Sequence, residues 1–542
     1  MNRAKALVHL LVAMSLSVGA FFACKASIDW VVAHPNYLDG GPEPAYERHL
    51  WVSLALLASF SVALWVVRQG TPAMVKKLNR RDAYALFVYA RVALVVALEL
   101  ANVPPYADLH THVTTNLGSQ WSIVRYYPPV MVLWGYVNGV EQQAVFEALG
   151  VGLSVADHQI VGFFTRMNKL PLELLVVRTL ESLFGGLTLG GGRQAETAGV
   201  TPALAGTWQG NGNELDVEET LGKRGVLLAT FQPFTPLVAY AWCTFDLLAF
   251  LFTVVAALAA KESDFVGAGI SLGLGFLTKG YPVAALGGLL AWLLVRRRLR
   301  EGVKLAASFL VVTVALTLIY GLANPDYLER NIFDVGLGNL LFGRFWHSPL
   351  FENAWLFLST EPRLATAVGV LLVGAGASGT CWLVFRFRRV ADRGHVGQAL
   401  VPLVSGVTSL YFLLYPHHPP WYSLPVMVLA SLAADVATSG DRRRARWFAR
   451  SQWSFVAYLG TFTAVYLFSI EYYDASPSVA YSSFLFGRGP HAFWLLVGFP
   501  ALIFGHVAFL RGLAFAPKAR RVETWKKKLR GRVGFQKVTK PA

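Results

Sequence analysis

The chain has 542 residues, of which 55% are hydrophobic and 15% are charged, and its formal net charge is +16. Its mean hydropathy of +0.46 excludes an ordinary soluble globular protein, and apolar runs of about 20 residues recur, each long enough to cross a bilayer as a helix. The basic residues stand in short clusters between these runs, a pattern typical of membrane proteins that argues against nucleic-acid binding. We therefore predict an all-α, polytopic transmembrane bundle of about 11–13 spans in the cell membrane.

Three apolar runs open the chain, at about residues 6–33, 50–67 and 84–103. Basic clusters precede the first run and follow the second, and such clusters mark cytoplasmic segments. The N-terminus is therefore predicted in the cytoplasm, and the third run ends at the outer face. It follows that the polar stretch at 104–128 is an outer loop.

The region from 129 to 240 carries three further candidate membrane or interfacial helices. They begin at about residues 129, 143 and 170 and are followed by a polar, glycine-rich insert at 190–224. The insert has few hydrophobic residues, and the sequence leaves open on which side of the membrane it lies.

Two later apolar segments carry an ionisable residue near the predicted outer face. One begins at Asp246, and the other is glycine-rich and interrupted by the sequence KGYP at 279–282. Because proline disrupts a continuous helix, we expect one span to end here and the next to begin. Lys279 would then face the same compartment as Asp108.

Basic clusters in the second half alternate with polar loops in the same way. The clusters stand at about residues 261–263, 296–304, 386–393 and 441–450. Placing them in the cytoplasm leaves outer loops at about 323–362, 415–422 and 471–490. The bundle then covers residues 1–517, and the basic tail at 518–542 lies in the cytoplasm near lipid headgroups.

Polar and aromatic residues gather in the predicted outer loops. The ionisable ones are Asp108, His110, His112, Arg125, Asp246, Lys279, Arg344, His347, His417 and His418. The aromatic ones are Trp121, Tyr126, Tyr127, Trp346, Trp421 and Tyr422. An ionisable group at membrane depth costs about 2.5–3.5 kcal/mol on insertion scales, so it usually has a partner or a function. A carboxylate, cations and aromatic faces together suit a sugar and a phosphate, while the aromatic residues alone could form an interfacial belt.

Transfer of a sugar from a lipid phosphate requires a particular set of groups. The leaving phosphate is a weak base and needs cations to stabilise it, and the acceptor hydroxyl needs a general base, normally a carboxylate. A retaining hydrolase would instead need two carboxylates about 5–5.5 Å apart. The chain offers one prominent loop carboxylate, Asp108, and many cations, which favours single displacement with inversion.

Several segments between about residues 100 and 435 stand in an order that resembles a known enzyme class. They are Asp108 followed by YYPP at 126–129, then MNKLPLELLVVRTLESLF, LLATFQPFTPLVAYAWCTFDLLAFLF, GAGISLGLGFLTKGYP and YPHHPPWYSLPVMVLA. In this order they resemble GT-C-class, polyprenyl-phosphate-sugar-dependent glycosyltransferases, and above all the polyprenol-phosphate-mannose-dependent mannosyltransferases. The chain differs in having two helices before the one that leads to Asp108, and His110 where some members have a second acidic residue.

The resemblance implies a GT-C-like fold with its active site in the outer loops. Asp108 would be the catalytic base, Lys279 and nearby cations would hold the donor phosphate, and Asp246 would shape the site. The residues that would bind the donor phosphate or sugar are Arg125, Tyr127, Asp246, Lys279, Arg344, His417 and His418. The donor would be a polyprenyl-phosphate-linked sugar, with mannose expected, and the acceptor a lipid or glycan hydroxyl.

The loop residues also have other interpretations. Asp108 could cap a loop helix or pair with Arg125, and Asp29 is a rival base. His110 and His112 could bind a divalent metal ion together with Asp108, or they could be ordinary polar loop residues.

The remaining candidates have structural alternatives too. Lys279 could reach the interface without touching a ligand, Asp246 could be a helix N-cap, and His417 and His418 could simply be solvated. At the level of function, the alternative to a glycosyltransferase is a transporter or flippase of a lipid-linked or small anionic solute, which also needs cations and broken helices. A non-catalytic assembly subunit would not need the Asp108 constellation.

Overall fold

The computed structural model describes part of the chain, in stretches separated by gaps. They are residues 8, 12, 58–59, 61–66, 80–100, 129–148, 158–185, 235, 239–240, 246–328, 362–391, 396–414, 424–428, 442–475 and 497–514. Within these stretches every regular element is a helix and there is no β-strand, which confirms the all-α prediction for this part of the protein. The insert at 190–224 and the tail at 518–542 lie outside them.

The helices keep the order in which the sequence predicts apolar segments. The first seven are α1 (Arg80–Leu100), α2 (Pro129–Ala148), α3 (His158–Met167), α4 (Lys169–Gly185), α5 (Asp246–Lys261), α6 (Phe265–Phe276) and α7 (Pro282–Val295). They are followed by α8 (Leu299–Ala323), α9 (Pro325–Tyr327), α10 (Pro362–Ala391), α11 (Val396–Leu414), α12 (Arg442–Ala475) and α13 (Phe499–Ala514). The second candidate of the middle region, expected at about residues 143–164, overlaps the end of α2 and most of α3, and its residues 149–157 lie outside the described stretches.

Three helices in the described stretches are long and apolar enough to cross a membrane, judged by length and composition. They are Arg81–Leu100 in α1, Leu299–Ala323 in α8 and Val370–Arg388 in α10. Shorter apolar helices of 10–17 residues include α6 and α7. These helices support membrane association, and the total of about 11–13 spans stays a prediction.

The break between α6 and α7 follows from the local sequence. Asp264 caps α6, since its carboxylate accepts a hydrogen bond from the Gly267 amide at 2.9 Å. α6 ends at Phe276, and α7 begins at Pro282. Proline is favoured at the first position of a helix because its ring sets φ and its missing N–H would have no helical partner there. The break predicted at 279–282 is confirmed.

Glycines bring α6 against α8. A Cβ atom added to Gly269 would collide with the Leu305 carbonyl and the Ser308 hydroxyl, and one added to Gly273 would lie 3.2 Å from the Phe309 carbonyl. Residue numbers rise in the same direction along both helices, so the two run parallel. Close approach of this kind supplies the van der Waals packing that holds helices together in lipid.

Polar contacts set the directions of α1, α4 and α5. The Tyr84 hydroxyl, near the start of α1, donates to Glu181 near the end of α4 at 2.6 Å, so these two helices run antiparallel. The Lys261 ammonium, at the end of α5, donates to the Ser182 carbonyl at 2.8 Å. The end of α5 therefore lies beside the end of α4 and the start of α1.

α11 packs against both α7 and α10, which also contact each other, and it runs antiparallel to both. The contacts that set these directions are Gly288 with Val407, Tyr281 with Phe412, Gly379 with Leu410 and Gly406 with Leu383. As a result α11 ends where α7 begins, close to Tyr281, and it begins near the ends of α7 and α10.

The bundle has two chemically different ends. We call one the arginine end; its basic residues include Lys261, Arg296, Arg297, Arg298, Arg300, Lys304, Arg386, Arg388, Arg443, Arg446, Arg450 and Arg511. The opposite one, where α5 and α7 begin and α6 and α11 end, we call the tyrosine end after Tyr281. The basic clusters predicted on a single face of the membrane thus share one end of the bundle, as the positive-inside rule requires.

Candidate functional site

Tyr281 joins two of the predicted site segments. It is 1% exposed, and its hydroxyl donates to the carbonyl oxygen of Asp246 at 3.0 Å. Asp246 is the first residue of α5 and is itself fully buried. Tyr281 follows Lys279 by two residues, so the hydrogen bond ties the start of α5 to the chain break that carries the lysine.

Lys279 lies in that break with its backbone held by α6. Its amide donates to the Gly275 carbonyl at 2.9 Å, and its side chain is half-buried. The neighbouring Gly280 faces Tyr411, because a Cβ atom added to Gly280 would lie 3.9 Å from the Tyr411 hydroxyl. The structure therefore brings Asp246 and Lys279 to the same end of the bundle, as predicted.

The start of α2 reaches the same place. The Val130 amide donates to the Leu277 carbonyl at 3.3 Å, and Leu277 stands two residues before Lys279. Val130 directly follows the YYPP motif at 126–129. The described residues nearest in sequence to Tyr127 and Arg125 are thus at the tyrosine end.

The end of α11 is the fourth segment that lies at the tyrosine end. The ring of Phe412 lies 5.2 Å from the ring of Tyr281, and α11 ends two residues later at Leu414. The next residues along the chain are the loop at 415–422 with its paired histidines. The described end of α11, which precedes this predicted outer loop in the sequence, therefore lies at the tyrosine end.

The end of α1 lies there too. Glu99 forms an ion pair with Arg166 of α3, and the Arg166 guanidinium also donates to the Tyr240 carbonyl at 2.9 Å. Arg166 is fully buried. The contact fixes the last turn of α1, and the predicted loop with Asp108 follows within the next residues of the sequence.

α8 leads to the loop expected to hold Arg344. Its end packs against the short helix α9, where the rings of Tyr320 and Tyr327 lie 4.9 Å apart, edge to face. Burial raises the pKa of Tyr327 to about 12, with a smaller contribution from Tyr320. The Tyr327 phenol is protonated near neutral pH even at its ordinary pKa of about 10, so its hydroxyl can donate a hydrogen bond.

Most of the predicted site residues fall outside the described stretches. They are Asp108, His110, His112, Arg125, Tyr127, Arg344, His417 and His418. Their roles stay predictions. Within the described part of the chain, no three His, Cys, Asp or Glu residues stand close enough together to hold a metal ion, and the metal site considered at His110 and His112 lies beyond that part.

A buried charged cluster between α1 and α4 was not predicted. Two Arg91 nitrogens donate to the two Glu173 carboxylate oxygens, each at 2.7 Å, and the Tyr240 hydroxyl donates to the same carboxylate at 2.8 Å. The Arg91 and Glu173 side chains are only 3% and 2% exposed. The signal was present in the sequence, since both are ionisable residues inside apolar runs.

No protein-family model matches this chain, and no curated protein matches it. The GT-C likeness therefore stays a resemblance between motifs.

Proposed function

We propose that this protein is a membrane glycosyltransferase of the GT-C type, which moves a monosaccharide, with mannose expected, from a polyprenyl phosphate to a lipid or glycan hydroxyl at the outer face. One observation carries the proposal. Through Tyr281, the start of α5 at Asp246, the Lys279 break and the end of α11 meet at one end of the bundle. The first two belong to segments on which the resemblance rests, and the third directly precedes another such segment, at 415–430.

Two further contacts extend this convergence. The start of α2, which follows the YYPP motif, lies beside Leu277, and the last turn of α1 is held by Arg166. The described helix ends that border the predicted loops at 104–128 and 415–422 therefore lie at the same end, while the basic clusters lie at the other. A site for a lipid-linked donor needs its loops gathered at one end of the bundle, because the donor's tail stays in one leaflet of the bilayer while its phosphate contacts the loops at that face.

The reaction is a single displacement. The Asp108 carboxylate accepts the proton of the acceptor hydroxyl, and the acceptor oxygen forms a bond to the anomeric carbon of the sugar. The bond between that carbon and the phosphate oxygen breaks, and the polyprenyl phosphate leaves with the electron pair. Lys279, Arg125 and Arg344 stabilise the charge on the departing phosphate, and the configuration at the anomeric carbon inverts.

The test uses the purified full-length chain in proteoliposomes with a short-chain polyprenyl-phosphate mannose and a membrane-lipid acceptor. Asp108→Asn should lower the transfer rate by about 10²–10⁴-fold, the usual contribution of a general base. Asp82→Asn is the matched control, because Asp82 lies at the start of α1, at the opposite end from the proposed site. Wild-type activity in Asp108→Asn, with both variants folded, would remove Asp108 as the base.

A transporter or flippase is the second candidate, and one observation favours it. The buried Arg91–Glu173 pair lies near the middle of α1, and transporters place ionisable groups at that depth. The same proteoliposomes separate the two functions. A transferase releases polyprenyl phosphate and a glycosylated acceptor, whereas a flippase moves the intact donor between leaflets and leaves the sugar–phosphate bond unbroken.

A further inference from the structure

Two arginines from different helices meet on one tryptophan at the arginine end. The guanidinium carbons of Arg450 in α12 and Arg511 in α13 each lie 4.6 Å from the centre of the Trp447 ring. Both arginines are exposed, and Trp447 is half-buried. A guanidinium stacked on an aromatic ring keeps its N–H edge free, and that edge matches the oxygens of a phosphate.

The packing of α12 on α13 builds this arrangement. The Ser451 hydroxyl donates to the Gly505 carbonyl at 2.8 Å, and the rings of Phe448 and Phe509 lie 5.7 Å apart. A Cβ atom added to Gly512 would lie 2.7 Å from the Phe448 ring, so the two helices approach closely there. At this close approach the Arg511 guanidinium of α13 lies over the Trp447 ring of α12.

The positive charge of this cluster is not balanced by acidic residues on the helices that form it. Over their described residues α10 and α13 contain no Asp or Glu, and α12 contains only Glu471 and Asp474 near its other end. At 1.5 Å per residue, these two lie roughly 30 Å along the helix from Arg450. A third arginine, Arg386 of α10, donates to the Ala514 carbonyl at 2.7 Å and adds to the charge.

An apolar strip continues from Arg511 along α13. Phe504 and Val507 precede Arg511 by seven and four residues, which places all three on one face of the helix. Phe504 is 44% exposed and Val507 is 40% exposed. A basic group above an exposed apolar strip matches a lipid, whose phosphate and acyl chain are arranged in the same way. A free phosphate ion has no apolar part that could contact the strip.

We propose that Trp447, Arg450 and Arg511 form a binding site for the phosphate of an anionic lipid headgroup, with the acyl chains along Phe504 and Val507. The site lies at the end opposite the proposed glycosyltransferase centre and does not depend on that function. Charge complementarity also suits its place, since the cytoplasmic leaflet carries the negative surface potential.

The test counts bound lipids on the intact protein. The full-length chain is reconstituted into nanodiscs with equal amounts of phosphatidylglycerol and phosphatidylcholine, and the retained lipids are identified by native mass spectrometry. Wild type should retain phosphatidylglycerol in preference. Because charge-assisted hydrogen bonds to a phosphate are among the stronger ones, losing both guanidinium contacts in Arg450→Gln with Arg511→Gln should lower the retained phosphatidylglycerol about tenfold or more.

Two matched pairs of substitutions distinguish a specific binding site from non-specific attraction by the basic residues of the arginine end. Arg300→Gln with Lys304→Gln removes the same charge from the exposed start of α8 and should leave retention unchanged. Arg450→Lys with Arg511→Lys keeps the charge but removes the planar guanidinium with its two parallel N–H donors. The retained phosphatidylglycerol should fall several-fold. The proposed site would be refuted if both glutamine pairs lost phosphatidylglycerol equally, or if the lysine pair retained it fully. Displacement of the lipid by millimolar inorganic phosphate would overturn its assignment to a lipid.

Discussion

Breaking the Arg91–Glu173 pair should destabilise the bundle far more than breaking an exposed pair. The substitution is Glu173→Gln, which keeps the size of the side chain and removes its charge. In the wild type the carboxylate accepts two hydrogen bonds from Arg91 at 2.7 Å and one from Tyr240 at 2.8 Å, with both charged side chains at most 3% exposed. The variant removes the Glu173 charge that faces the buried guanidinium.

The expected cost follows from burial. Removing one partner of a buried ion pair costs about 3–5 kcal/mol, because the desolvated charge that remains is uncompensated. The matched control is Glu301→Gln, which breaks the pair of Arg298 and Glu301 at 3.0 Å, where the side chains are 35% and 28% exposed. Water screens such a pair, so this substitution should cost far less than Glu173→Gln.

The free energy of unfolding is measured for each variant by steric trapping in bicelles, where the membrane environment is kept. A third variant, Arg91→Met with Glu173→Leu, replaces the pair by apolar side chains and should recover most of the lost stability. If Glu173→Gln cost no more than Glu301→Gln, the buried pair would not be the stabilising contact described here. A double variant as unstable as the single one would mean that packing, not charge, holds α1 against α4.

Two further predictions concern the tyrosine end and the glycine contacts. Tyr281→Phe removes the hydrogen bond to the Asp246 carbonyl and should cost about 0.5–1.5 kcal/mol of unfolding free energy and lower sugar transfer, whereas Tyr89→Phe, at a side chain 73% exposed, should change neither. An unaffected Tyr281→Phe would show that this bond does not order the junction. Gly269→Ala should destabilise by about 1–3 kcal/mol through overpacking against α8. Gly287→Ala, whose added carbon meets no described atom within 4 Å beyond its own turn of helix, should be neutral or stabilising by thermal unfolding. Equal effects of the two alanines would contradict the close approach of α6 and α8.

The elements of the fold were predictable because they depend on neighbouring residues. Apolar runs give helices whatever surrounds them in lipid. Asp246 was expected at the start of a helix and is the first residue of α5, and the KGYP break appears between α6 and α7. The clustering of basic residues at one end also follows from the sequence, since the basic clusters stand between the apolar runs that form the helices.

Which helix ends meet was decided by the tertiary structure. Arg91 and Glu173 are 82 residues apart, and Tyr281 and Asp246 are 35 apart. No local sequence pattern predicts either contact. Long apolar helices can pack in many orders and rotations, because lipid tails are as apolar as their side chains and give little preference. Close glycine contacts and a few buried polar bonds select one arrangement, and these depend on which helix faces lie opposite each other. The sequence alone therefore determined a helical membrane chain with one basic side, and packing determined that Asp246, the Lys279 break and the end of α11 meet at the other.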